Sequence, residues 1–353
     1  MFTLNRPSLR RAFATTETEP AKRLPPNHRL TGASDMKIPP GFAQQAIQTS
    51  LGRMAYYTAE GDRPPSDNTL VFLHGLGGGS SAYEWSKVYP AFAHRDRILA
   101  PDLIGWGRSE HPQRDYVPDD YITTIGEFLA ATCNGPVTVV ASSLTAAFTI
   151  RVAIAYPERF KSLILTNPTG LSDFGNSYNN TFFAQIVKTP IVDRLFYGLG
   201  VATPGGIRSF LEQRQFANPK RIYDELIEAY LESAQQDNAD YAALAFVRGD
   251  CCFDLARYLP ELKTPTAMLW GKKSQFVNFE VGRRLADLNP QAVQAFEVLE
   301  EVGLTPHLEL PAVTIGLIER FRQQLEMDHD GSINQDTSTA VSGVSADEST
   351  KAT

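Results

Sequence analysis

Val139-Val-Ala-Ser-Ser-Leu-Thr-Ala146 is the stretch on which the fold turns. Residues 137–141 form a short run rich in valine, of the kind that is buried on both faces of a sheet. From about residue 144 the pattern is helical, and no Gly or Pro separates the two, so a strand runs straight into a helix. Such a junction needs a sharp turn, with small residues two positions either side of the residue at its tip. Ala141 and Thr145 meet that size rule around Ser143. Ser143 then takes the position of an exposed nucleophile, and the Leu144 backbone N–H becomes a donor toward a developing oxyanion. Taken alone, the same residues also read as a serine pair capping a helix start.

Working outward, short apolar runs recur at 69–74, 97–102, 137–141, 162–166, 266–270 and 295–299. Helical patterns lie between and after them, near 83–92, 119–133, 144–156, 279–288 and 311–325. This alternation predicts an α/β fold with a mostly parallel central sheet and helices on both faces. Residues 43–50 and 53–58 predict a hairpin at one edge, with Leu51-Gly52 at its turn. Between about 172 and 253 the pattern becomes helix after helix, clearest at 181–188, 206–216 and 220–235. That reads as a helical lid inserted after the sixth strand. Phe182, Phe183, Ile186, Val187, Ile191, Val192, Leu195 and Phe196 give its first part a dense apolar surface. Such a surface serves either packing of lid on sheet or the lining of a pocket for an apolar or acyl ligand.

Two further loops follow strands, at the sheet edge where ligands bind in such folds. His74-Gly-Leu-Gly-Gly-Gly79 lets the backbone approach a ligand and point N–H groups inward. It lacks the complete dinucleotide fingerprint and the lysine of a triphosphate-binding loop, so an oxyanion loop with Leu76 or Gly77 as donor fits better. Asp102-Leu-Ile-Gly-Trp-Gly-Arg-Ser109 is a strand end followed by a Gly-rich turn with an Asx-type hydrogen bond.

In this order, the His-Gly loop, the Asp-x-x-Gly-x-Gly-x-Ser run, the strand–Ser143–helix turn, the helical insertion and the Trp270-Gly271 turn resemble the α/β-hydrolase fold superfamily. The resemblance spans about residues 42–325 and looks closest to its esterase, lipase, dehalogenase and C–C hydrolase-like members. It implies a serine nucleophile oriented with a His base and a carboxylate, in the chain order Ser, acid, His. The family's Trp-Gly-x-x-Asp corresponds here to Trp270-Gly-Lys-Lys-Ser274, so Ser274 stands in the acid slot. The residue after Gly303, where the family carries its base, is Leu304. Neither side chain takes a proton from Ser143. His307, three positions on, is the first substitute base. His74 reads as structural, His111 as a surface-loop residue, and Lys272 and Lys273 as a solvated face. Asp173, Asp254 and Glu280 are spare acids with nothing special in their spacing.

Two functional readings follow. One is a non-classical or inactive relative that binds an apolar or acyl ligand, or a protein partner, on its lid side. The alternative is an active serine hydrolase of carboxylesterase or lipase type using an unrecognised base such as His307.

Composition bounds the rest. The chain has 353 residues, 42% hydrophobic and 21% charged, with a net charge of −7. The acidic balance argues against nucleic acid as a partner. Cys133, Cys251 and Cys252 are too few for a disulfide framework, and no His or Cys pair falls at metal-ligand spacing, so no metal or cofactor is expected. Residues 1–40 read as a disordered basic arm, 41–326 as the hydrolase-like domain, and 327–353 as a disordered acidic tail. The expected location is cytoplasmic; the acid-free basic start is also the composition of an organelle import segment. No run of 18 apolar residues exists, so no membrane-spanning helix is expected.

Overall fold

The computed structural model describes residues 38–61, 68–175 and 197–340. Its strands are β1 (Phe42–Thr49), β2 (Gly52–Ala59), β3 (Thr69–Leu73), β4 (Arg97–Pro101), β5 (Val137–Ser142), β6 (Phe160–Thr166), β7 (Thr266–Gly271) and β8 (Val293–Leu299). They form one sheet in the order β1-β2-β4-β3-β5-β6-β7-β8. The β1–β2 and β2–β4 pairings are antiparallel and all others parallel. The expected hairpin is present; its turn is Ser50-Leu51, and Gly52 already pairs with Thr49.

Helices cover both faces. α1 (Pro118–Thr132) and α2 (Ser143–Ala155) follow β4 and β5; α3 (Pro204–Phe210), α4 (Asp224–Ala234) and α5 (Ala239–Arg248) lie between β6 and β7. α6 (Phe279–Ala286), α7 (Pro306–Glu309) and α8 (Pro311–Ala340) complete the described residues. The strands alternate sides with period two. Val71, Leu73, Val139 and Leu163 pack with Ile125, Phe128 and Phe148 of α1 and α2. Leu70, Phe72, Val140 and Ile164 pack with Trp85, Tyr89, Phe92 and, from α8, Ile318 and Phe321. Buried Asp96 ties α8 down through a two-pronged pair with Arg322 at 2.8 and 2.9 Å.

Three boundaries differ from the sequence reading. Residues 83–92 form two short 3₁₀ turns, Ala82–Trp85 and Tyr89–Phe92, rather than one helix. Pro90 has no N–H to give to a continuous helix. The 206–216 segment is α3 followed by a wider turn at Leu211–Gln215. The 327 boundary falls inside α8, which runs to Ala340; no proline interrupts that stretch. The helix expected at 181–188, the apolar residues from Phe182 to Phe196, and nearly all of the N-terminal arm lie outside the described residues. No helix among the described residues is long and apolar enough to cross a membrane.

Phe72 is fully buried, with the rings of Trp85, Tyr89 and Phe92 at 5.6 to 6.1 Å. Phe72→Ala removes the centre of that cluster, and urea unfolding should show a loss of about 3–5 kcal/mol.

Candidate functional site

The site is built where β5 meets α2. β5 is buried along its whole length, and α2 begins at the next residue, so the chain turns within Ser143. Ser143 pays for this with a left-handed backbone, φ 55°. That conformation is strained for any residue with a Cβ. The small neighbours Ala141 and Thr145 let the turn close. Ser143 is buried, and its hydroxyl makes no hydrogen bond to any described residue.

Facing it is the loop His74–Gly79. A Cβ placed on Gly75 would lie 3.8 Å from the Ser143 Cβ and 3.6 Å from Glu84 Oε2, so the nucleophile position and a buried carboxylate share one corner. Gly75 N–H donates to Glu84 Oε2 at 2.9 Å. His74 is structural: Leu103 N–H donates to its Nε2 at 3.0 Å, which leaves the proton on Nδ1 to be given to Gly75 O at 2.6 Å. The N–H groups of Leu76 and Gly77 have no described backbone acceptor. Helical residues close over the loop: Phe210 and Gln215 lie within 3.2 Å of where a Gly77 Cβ would stand. At Gly79 (φ 92°) a Cβ would meet the Tyr230 carbonyl at 2.2 Å, so only glycine permits this approach.

Asp102 organises the second loop. It accepts from Ala82 N–H at 2.7 Å, Arg108 N–H at 2.8 Å and the Tyr57 hydroxyl at 3.0 Å.

Ser274 lies in the turn after β7, its N–H bonded to Gly271 O and its hydroxyl buried without a partner. Leu304 is buried and held at both ends of its peptide. Its N–H donates to Gln215 O at 2.8 Å, and its carbonyl accepts from Asn167 Nδ2 at 2.7 Å. Asn167, at the end of β6 with φ 46°, also accepts Gly271 N–H at 3.0 Å, so one amide joins both slots. Glu309 fixes the same loop from the other side. It accepts from Gly303 N–H at 2.6 Å and Ala217 N–H at 3.1 Å, and pairs with Arg221 at 2.9 Å.

His307 is not brought to Ser143 by any hydrogen bond. It is fully buried and stacked on Trp85, ring centroids 3.9 Å apart, and neither ring nitrogen has a hydrogen-bond partner. Its Nε2 stands 3.6 Å from Glu84 Oε2. Burial holds the His307 ring below the ordinary histidine range, against the pull of Glu84. Burial works to raise the Glu84 carboxyl; the adjoining His307 ring, with His74 nearby, outweighs that and brings it to about 2. The Tyr230 hydroxyl adds a donation to Glu84 Oε1 at 3.0 Å and contacts Gln215 Oε1 at 3.1 Å.

Other candidates have structural partners. His111 is buried against Gly107 O at 3.1 Å rather than exposed on a loop. Lys272 pairs with Glu300. Asp173 accepts from Thr169, Gly170 and Leu255, and Asp254 from Phe174 and Ala256. Burial pushes the Cys252 thiol up to about 12 and Cys251 higher still, which removes both as nucleophiles.

Residues 70–316 match the Alpha/beta hydrolase family. The chain belongs to that family. An uncharacterised protein of Mycobacterium tuberculosis is 25% identical over 269 residues, 74% of this chain and 77% of the relative. A 2-hydroxy-6-oxo-2,4-heptadienoate hydrolase of Pseudomonas putida is 30% identical over 107 residues, 30% of this chain and 39% of that enzyme. Among solved structures, the 2-hydroxy-6-oxo-6-phenylhexa-2,4-dienoate hydrolase of a Rhodococcus species matches with a TM-score of 0.62 at 20% identity, covering 80% of this chain and 99% of that one. At that identity the likeness concerns the fold.

Two outcomes test this hydrolase-family site. Ser143→Gly should be more stable than Ser143→Ala by about 1 kcal/mol in urea unfolding, since only alanine keeps the Cβ strain. Stability should also fall with acid. A His held low in the fold loses its contribution as pH drops below about 6.5, where the unfolded chain takes up the proton. Glu84 follows between about 4.5 and 2. Urea midpoints at pH 7, 5 and 4 should decline, and Glu84→Gln should flatten the decline below pH 5.

Proposed function

We propose that the chain is a non-classical member of its family, one that binds a carbonyl-bearing apolar ligand at Ser143 and the oxyanion loop without turning it over by a triad. The observation that carries this reading is the pair Ser274 and Leu304 in the acid and base slots. A serine hydroxyl needs a His base to become a nucleophile at neutral pH. Removing that His costs on the order of 10⁶ in turnover, and what remains, roughly 10³–10⁴ over water, comes from binding and the oxyanion donors. Losing the acid as well costs little more.

The surroundings support binding. On this reading the Leu76, Gly77 and Leu144 N–H groups around the left-handed turn at Ser143 receive the ligand carbonyl, and the helices after β6 form the lid. Protein partners of that lid surface remain the variant of the same proposal.

The alternative, an active serine hydrolase with His307 as base, has one observation on its side: the chain keeps the backbone strain at Ser143. Against it stands the fixed position of Leu304. A one-turn shift that moved His307 toward Ser143 would have to break the Gln215, Asn167 and Glu309 bonds to this loop.

A fluorophosphonate probe separates the two. Wild type should label no faster than Ser143→Ala. Rapid labelling that vanishes in Ser143→Ala and in His307→Ala would overturn the proposal in favour of the alternative.

A further inference from the structure

The strand–helix turn at Ser143 lies at a helix N-terminus beside free loop N–H groups. Alone, that arrangement attracts anions, since a helix N-terminus carries about half a positive charge. Glu84 changes the balance. Its carboxylate is 1% exposed and bonded to Gly75 N–H, the residue that precedes both loop donors. Its Oε2 lies 3.6 Å, and the Ser143 Cβ 3.8 Å, from where a Gly75 Cβ would stand. No Lys or Arg among the described residues pairs with it. The one basic group in contact is His307, buried and stacked flat on Trp85. His74 is neutral in its hydrogen-bonding pattern, with the Leu103 N–H occupying its second nitrogen. The Tyr230 hydroxyl and the Gly75 N–H orient the carboxylate without cancelling its charge.

We propose that Glu84 sets the ligand class of this site: it admits an uncharged carbonyl group, such as an ester, amide, lactone or ketone, and rejects carboxylates and other oxyanions. This rests on the ligand-binding reading above and names the chemistry of its ligand. The magnitude favours Glu84 over the helix end. A full buried charge repels a neighbouring anion more strongly than the half charge of a helix end attracts it. The helix end contributes roughly 0.2 to 0.7 unit of log affinity in the other direction. A neutral carbonyl is spared most of the repulsion and still receives the loop N–H groups.

Octanamide and octanoate have nearly the same shape and differ in charge, so they form the probe pair. Calorimetric titration at pH 7.5 should find wild type binding octanamide about ten- to a hundred-fold more tightly than octanoate. Glu84→Gln keeps an acceptor for Gly75 N–H and a partner for Tyr230, and should narrow that ratio to within about threefold by gaining octanoate affinity. Equal or tighter octanoate binding by wild type overturns the proposal, and so does a ratio unchanged in a folded Glu84→Gln variant. Should that variant not fold, the wild-type ratio decides alone. Binding of neither ligand at millimolar concentration sinks the ligand-binding reading itself, a result distinct from binding without discrimination.

Discussion

The turn between β5 and α2 is the constraint on which the site depends. β5 pairs with β3 on one side and β6 on the other, and both faces are covered. The chain leaves it without a single loop residue, because Ser143 is already the first residue of α2. Reversal within one residue demands the left-handed backbone at that residue and no other. The rest of the site is arranged around this fixed point. β3 lies beside β5 and delivers the glycine loop opposite Ser143, and the close approach of α4 to Gly79 holds that loop down.

The backbone around Ser274 and Leu304 is held in place without help from either side chain. Asn167 spans them with one amide, accepting from Gly271 and donating to Leu304. Glu309 saturates the N–H groups of Gly303, Ala217 and Asn218 and pairs with Arg221. Apart from the Arg221 pair, these bonds are made to main-chain atoms, so they are indifferent to what side chain stands at 274 or 304. The geometry of the scaffold and the ability to transfer a proton are therefore separable. The first stands with leucine at 304 because its bonds there use only the backbone N–H and carbonyl.

The sheet and the strand–helix turn were legible because their signals are periodic or steric: buried strands read as apolar runs, and small residues flank the turn. Ser274 and Leu304 were found by their distance from Trp270-Gly271 and Gly303. Glu84 was not found, for a physical reason. Ser81-Ala-Tyr-Glu84 has the spacing of a capping box, whose glutamate normally turns back to its own helix start. Here the glutamate side chain reaches across to Gly75 in a preceding loop, a long-range bond that local spacing does not encode. Asn167 was missed likewise: a lone amide after a strand carries no pattern until two other strand ends converge on it. The 83–92 run misled because its apolar spacing hides the proline that splits it.

Glu84 also bears on turnover independently of what stands in the acid and base slots. In a working serine site the reaction builds negative charge at the oxyanion, and stabilising that charge is the largest catalytic term. A buried carboxylate beside the loop that should receive it raises the energy of the oxyanion more than that of a neutral ground-state carbonyl. Protonated His307 would cancel the charge, but the same burial that isolates the pair holds that ring neutral. The bonds that keep Glu84 ionised also hold the loop in shape, so the site's rigidity and its unfavourable charge have one origin. On the proposed reading, leucine in the base slot and this acid act in the same direction, toward holding a neutral carbonyl rather than breaking it.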